Sequence, residues 1–134
     1  MLTKTYLLLA ATILTLMIAG QPSSAQGRWA YLGQANVDGG NDHDNIKVGG
    51  DEGRFRALQI YVERAAIDFE RVVVHYDNGG DDTLPIRGRV RAGGKSRVID
   101  LRGDRRIIRS VEIWYARGNW RNDAKPKLRL FGRR

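Results

Sequence analysis

Ile67-Asp68-Phe69-Glu70-Arg71-Val72-Val73-Val74-His75-Tyr76 is the segment whose reading decides the fold. Ile67 and Phe69 share one parity, Val72, Val74 and Tyr76 the other. A period of two is that of a strand half-buried on one side. The change of parity across Glu70-Arg71 is what one extra residue in a strand produces, so a β-bulge is expected there. Upstream, Leu58, Ile60 and Val62 alternate with Gln59, Tyr61 and Glu63. Downstream, Val111, Ile113 and Tyr115 form a third apolar set and Leu128 with Leu130 a fourth.

Extended along the chain, the same pattern gives eight strands: Arg28–Val37, Asn45–Val48, Phe55–Glu63, Ile67–Tyr76, Leu84–Arg91, Arg97–Leu101, Ile107–Ala116 and Lys127–Phe131. Between them lie Asp38-Gly39-Gly40-Asn41, Gly49-Gly50-Asp51, Asn78-Gly79-Gly80-Asp81, Gly93-Gly94 and Gly103-Asp104, which carry turn chemistry. No stretch beyond the N-terminus sustains a helical period. Short strands at this spacing predict a single all-β domain, a small β-sandwich or jelly roll of antiparallel strands.

The first 25 residues read differently. Lys4 precedes the apolar run Leu7–Ala19, and Gln21-Pro22-Ser23-Ser24-Ala25 follows. This is the order of a secretory signal peptide, with Ser23 and Ala25 at the small-residue positions before the cut. The run is shorter than the roughly 20 residues that span a bilayer. The expected domains are therefore a cleaved signal peptide at 1–25 and a β-sandwich at 26–134, periplasmic or secreted, with no membrane span after cleavage.

Composition sharpens this. The 134 residues include 23 Lys plus Arg against 15 Asp plus Glu, a net charge of +8, and no cysteine. Disulfides and thiol chemistry are excluded, so an exported domain of this size must rest on its core alone. Gln26–Ile86 holds 6 basic and 11 acidic residues, Arg87–Arg134 holds 16 and 4. An exported protein rarely meets DNA, so the basic excess points to an anionic envelope component or another protein rather than to nucleic acid. No oligomeric state follows from these features.

Three groups of residues are candidates for binding. Arg87, Arg89 and Arg91 share parity on one strand, and Arg105, Arg106 and Arg109 follow. Guanidinium forks suit phosphate and carboxylate, so these six are the expected anion-binding set, against a plainly solvated outer face. Asp38, Asp42 and Asp44 lie in an oxygen-rich, glycine-containing loop of the kind that holds calcium. The competing reading is a hairpin loop that satisfies its own backbone. Trp114, opposite in parity to its apolar neighbours, and Trp120, in a polar segment, are candidates for stacking on sugars, against burial at the end of the sandwich.

Catalysis has little support. The exported chain offers Ser96, Ser110 and Thr83 as hydroxyls, with His43 and His75 as bases, and no nucleophile elbow. His75 reads as a packed strand histidine. Two histidines without cysteine make a poor zinc site. The expectation is a binding or structural module and not an enzyme, with a calcium-stabilised or carbohydrate-binding sandwich as the alternative.

One resemblance covers nearly the whole exported chain. Trp29-x-x-Leu32-Gly33, Asp42-x-Asp44-x-Ile46-x-Val48-Gly49, Gly53-x-Phe55-Arg56-x-Leu58, Ser96–Gly103, Arg106-Ile107-Ile108-x-x-Val111 and Leu128-x-Leu130-x-Gly132-Arg133 together resemble small exported bacterial proteins of unknown function related to the YaaI-type periplasmic family. The resemblance implies a signal peptide and a compact β-sandwich, and carries no activity or ligand. The YaaI type has a cysteine pair that this chain lacks, so no disulfide is implied.

Overall fold

The computed structural model describes residues 28–134 except 40, 119 and 121–123. The signal-peptide reading of 1–25 lies outside the described residues. Among the described residues there are nine strands: β1 (Trp29–Asn36), β2 (His43–Lys47), β3 (Arg54–Phe55), β4 (Ala57–Glu63), β5 (Ile67–Tyr76), β6 (Asp81–Val90), β7 (Ile99–Asp100), β8 (Arg106–Tyr115) and β9 (Lys127–Arg133). A four-stranded sheet has the order β1-β9-β4-β7. A second sheet has the order β2-β8-β5-β6, with β3 also paired to β8. All pairings are antiparallel.

The order has a simple origin. β5 pairs with β6, β4 with β7, β2 with β8 and β1 with β9. The chain is thus one long hairpin whose arms stay matched from its tip to its ends. Rolling that ribbon brings β9 against β4 and β8 against β5, which closes two sheets in jelly-roll order. The expected fold class is the observed one.

Local chemistry explains where the ribbon bends. Phe55 and Ala57, read as one strand from sequence, belong to different sheets: Phe55 pairs with Arg106 on β8 and Ala57 with Arg133 on β9. The chain crosses between sheets at Arg56. The bulge expected at Glu70-Arg71 is present, as a register shift between Phe69 and Arg71 against both β6 and β8. A second shift falls between Tyr31 and Gly33 in β1. Gly33 has φ +149°, and a β-carbon there would lie 2.7 Å from Ile46 Cγ2 on the opposite sheet, so glycine is what lets the layers approach.

One apolar cluster fills the space between the sheets. Leu58, Ile60, Val62, Leu128 and Leu130 come from the four-stranded sheet; Ile46, Val72, Val74, Val111 and Ile113 come from the other. Ser96 is buried and structural: its Oγ accepts from Ile60 N–H at 3.0 Å and donates to Arg97 O at 2.8 Å. Gln59 Nε2 donates to Ser96 O. This pins the β6–β7 connection to β4.

Candidate functional site

Strand register places three rows of side chains across the outer face of the five-stranded sheet. Lys47, Ser110, His75 and Asp81 form one row, Asn45, Glu112, Val73 and Thr83 the next, and His43, Trp114, Arg71 and Pro85 the third. The odd-numbered positions of β5 beyond the bulge point out because Val72, Val74 and Tyr76 point in. His75 therefore stands on the outer face and not in the core.

His75 lies between two carboxylates. Its Nδ1 is 2.6 Å from Asp81 Oδ1 and its Nε2 3.1 Å from Glu112 Oε2. Both nitrogens donate only in the imidazolium form. The Asp81 hydrogen bond, then the Glu112 hydrogen bond, raise the His75 pKa above its ordinary value. Asp81, His75 and Glu112 make a line across β6, β5 and β8.

A depression of about 610 Å³ opens beside this line. It is lined by Asn45, Lys47, Val48, Gly49, His75, Arg109 and Ser110. Its wall carries two permanent cations, an imidazole, a hydroxyl and an amide, and no carboxylate. Neither Lys47 nor Arg109 forms an ion pair with a described residue. A second depression, about 520 Å³, lies at the other corner of the sheet between Glu70, Arg71, Thr83, Pro85 and Arg87. There Arg71 is 3.9 Å from Glu70.

The six arginines expected to bind anions do not form one face. Arg87, Arg89 and Arg91 run along and just beyond β6, a sheet edge, all exposed. Arg89 is 3.5 Å from Asp68. With Pro85 on the same strand, these charges suit protection of an open edge. Arg106 lies over the Tyr76 ring at 3.7 Å and donates to Arg102 O. Arg105 is exposed beside it, in a third depression with Arg54 and Asp77. Of the six, Arg109 stands in the wall that has no carboxylate. Lys47, its neighbour there, went unnoticed in the sequence because a single lysine in a short strand carries no pattern.

The aspartate loop is engaged by the protein itself. Asp44 Oδ2 accepts a 2.7 Å hydrogen bond from the Tyr115 hydroxyl. Burial, then that bond, raise the Tyr115 pKa, and the fields of Asp38 and Asp42 add to it. Asp42 Oδ1 lies 2.9 Å from His43 Nδ1, and this hydrogen bond holds the Asp42 carboxyl below its usual range. Among the described residues no group of three or more His, Cys, Asp or Glu is arranged to hold a metal ion.

Trp114 lies on the outer face that its parity indicated, with covering partners. Trp114 is stacked on His43 with centroids 4.1 Å apart and planes 17° apart, and the Arg71 guanidinium lies 4.1 Å from the same centroid. His43 and Arg71 belong to strands on either side of β8, so both indole faces are covered. Trp120 packs against the core, donates Nε1–H to Ala66 O at 3.3 Å and meets Tyr115 edge-on. Among the described residues the exposed large aromatic rings are instead Trp29, Tyr31 and Tyr61, on the four-stranded sheet.

No helix among the described residues is long and apolar enough to cross a membrane. No curated protein and no solved structure matches the chain. A family model described as a domain of unknown function, DUF2541, matches residues 8–132, and the chain belongs to that family.

Proposed function

We propose that this is an exported, non-catalytic binding module of the bacterial cell envelope, and that it takes an anionic group in the depression flanked by Lys47 and Arg109. The signal-peptide pattern of Met1–Ala25 and the likeness to YaaI-type exported proteins support the compartment. One observation carries the binding: two cations without carboxylate partners converge on a concave wall of about 610 Å³ that supplies further donors from Ser110 and Asn45. Elsewhere on the sheet, Arg71 and Arg89 are paired with carboxylates and Arg106 lies over a ring. A phosphate, sulfate or carboxylate borne by an envelope polymer or a partner protein suits such a wall.

The test is binding of the chain to lipopolysaccharide and to a sulfated polysaccharide across a salt series. Each cation at about 4 Å contributes about 1 kcal/mol in a water-like dielectric. The double substitution Lys47→Gln, Arg109→Gln is then expected to weaken binding by roughly thirty-fold at low salt. Salt has the same direction of effect on the wild type. Binding that ignores both salt and the double substitution refutes the proposal.

A further inference from the structure

The outer face of the four-stranded sheet holds the three exposed large apolar side chains of the described residues: Trp29 (40% exposed), Tyr31 (50%) and Tyr61 (39%). They are not scattered. Tyr31 on β1 stands opposite Phe131 on β9, and Phe131 stands opposite Gln59 on β4, with Tyr61 diagonal to it. Ring centroids are 5.6 Å apart for Tyr31–Phe131 and 4.7 Å for Phe131–Tyr61. A continuous aromatic ridge thus crosses β1, β9 and β4, and Lys95 Nζ reaches to 5.9 Å from the Tyr61 ring at its far end.

Cations border the ridge on both sides. Along β9, Lys127, Arg129, Phe131 and Arg133 share one face at a two-residue spacing of roughly 6.8 Å. Arg133 lies 5.6 Å from the Trp29 ring and 3.7 Å from Asp100. Arg129 Nε is 3.4 Å from Glu63, yet that nitrogen is buried and has no hydrogen-bond partner. So the face alternates guanidinium, ring and guanidinium, with two carboxylates at its margin.

This arrangement selects among ligands. A purely apolar partner has no use for the cations. A lipid surface or a nucleic acid would bring dense negative charge against Glu63 and Asp100. A polysaccharide with sparse carboxylates meets every element: pyranose C–H faces cover the rings, its carboxylates take Arg129 and Arg133, and its hydroxyls donate to Glu63 and Asp100. We propose that the outer face of the four-stranded sheet is a second binding site, independent of the Lys47–Arg109 depression, and that it takes an acidic polysaccharide chain along the Tyr31–Phe131–Tyr61 ridge.

The experiment uses hyaluronan oligosaccharides, which carry one carboxylate per two sugars, beside their carboxyl-reduced form and a neutral glucan, with affinity read by calorimetry. Tight binding of the acidic form is expected. Tyr31→Ala with Tyr61→Ala should lower it at least ten-fold, and Arg129→Gln with Arg133→Gln should remove the preference for acidic over reduced glycan. Tyr31→Phe should retain binding. Melting curves check that each variant folds, the exposed tyrosines being the safest to alter. No glycan binding, or acidic-glycan binding indifferent to the tyrosine and arginine substitutions, overturns the proposal. So does self-association or vesicle binding that is lost in the tyrosine variant, because the face would then serve another occupant.

Discussion

Gly132 offers the most direct test of how the two layers meet. It sits on β9, between β1 and β4, and faces the core. A β-carbon there would lie 2.6 Å from Phe55 Cδ1 and 2.8 Å from Leu32 Cδ1. Carbon atoms in contact sit about 3.5–4.0 Å apart, so Gly132→Ala demands a movement of about 1 Å by two side chains. Phe55 is wholly buried and Leu32 nearly so. β9 is hydrogen-bonded on both sides and has nowhere to retreat. Overpacking of this kind costs about 1–3 kcal/mol. Because alanine narrows the unfolded ensemble, roughly 0.5 kcal/mol is recovered. The net destabilisation is then about 0.5–2.5 kcal/mol, a fall in Tm of roughly 2–12 °C for a domain of this size. Thermal unfolding followed by circular dichroism measures it. Gly39→Ala is the control, since Gly39 has no neighbour within 4 Å and no positive φ. Phe55→Leu in the Gly132→Ala background should cost less than in the wild type, because the two changes share one space. If Gly132→Ala melts with or above Gly39→Ala, the close approach of Phe55 to β9 is refuted.

Two further outcomes follow from the ionisable groups. The folded-state pKa of His75 is raised by Asp81 and Glu112, so its contribution is complete below the unfolded value of about 6.5 and disappears as pH rises through the raised folded value. Urea midpoints between pH 5.5 and 8.5 should therefore decline more for wild type than for His75→Gln, and equal curves would show that the bridge has no weight. Because Asp42 is engaged by His43 and Asp44 by Tyr115, millimolar calcium or EDTA should leave Tm unchanged, whereas a rise with calcium would restore the metal reading of that loop.

The strands were legible because alternation survives wherever one face is buried. The β5 bulge was legible for the same reason, since Ile67–Phe69 and Val72–Tyr76 cannot share a face without it. The sheet order was not, because β1·β9 and β2·β8 join segments far apart in sequence and no local pattern encodes such pairing. Surface sites were legible only in part. Parity put Trp114 on an outer face, but its cover comes from His43 and Arg71 on two other strands. Tyr61 was already on the outward side of its strand. What joined it to Tyr31 was the register through Phe131, which the bulge at Gly33 conceals in the β1 sequence.

The charge asymmetry of the chain acquires its meaning from the rolled hairpin. A sequence with an acidic first half and a basic second half would make a bipolar molecule if each half folded into its own sheet. Here each arm of the ribbon lies against the other, so both sheets mix strands from both halves. β6 straddles the division, with Asp81 and Asp82 at one end and Arg87 and Arg89 at the other. Opposite charges consequently meet across neighbouring strands, as in Arg89 with Asp68 and Arg129 with Glu63. The net positive charge is left as local remainders where a cation lacks an acidic neighbour, and Lys47 with Arg109 is such a remainder. An anionic partner would then be held by a small number of charges at a defined place, and its affinity should respond to two substitutions there far more than to the loss of any two arginines along β6.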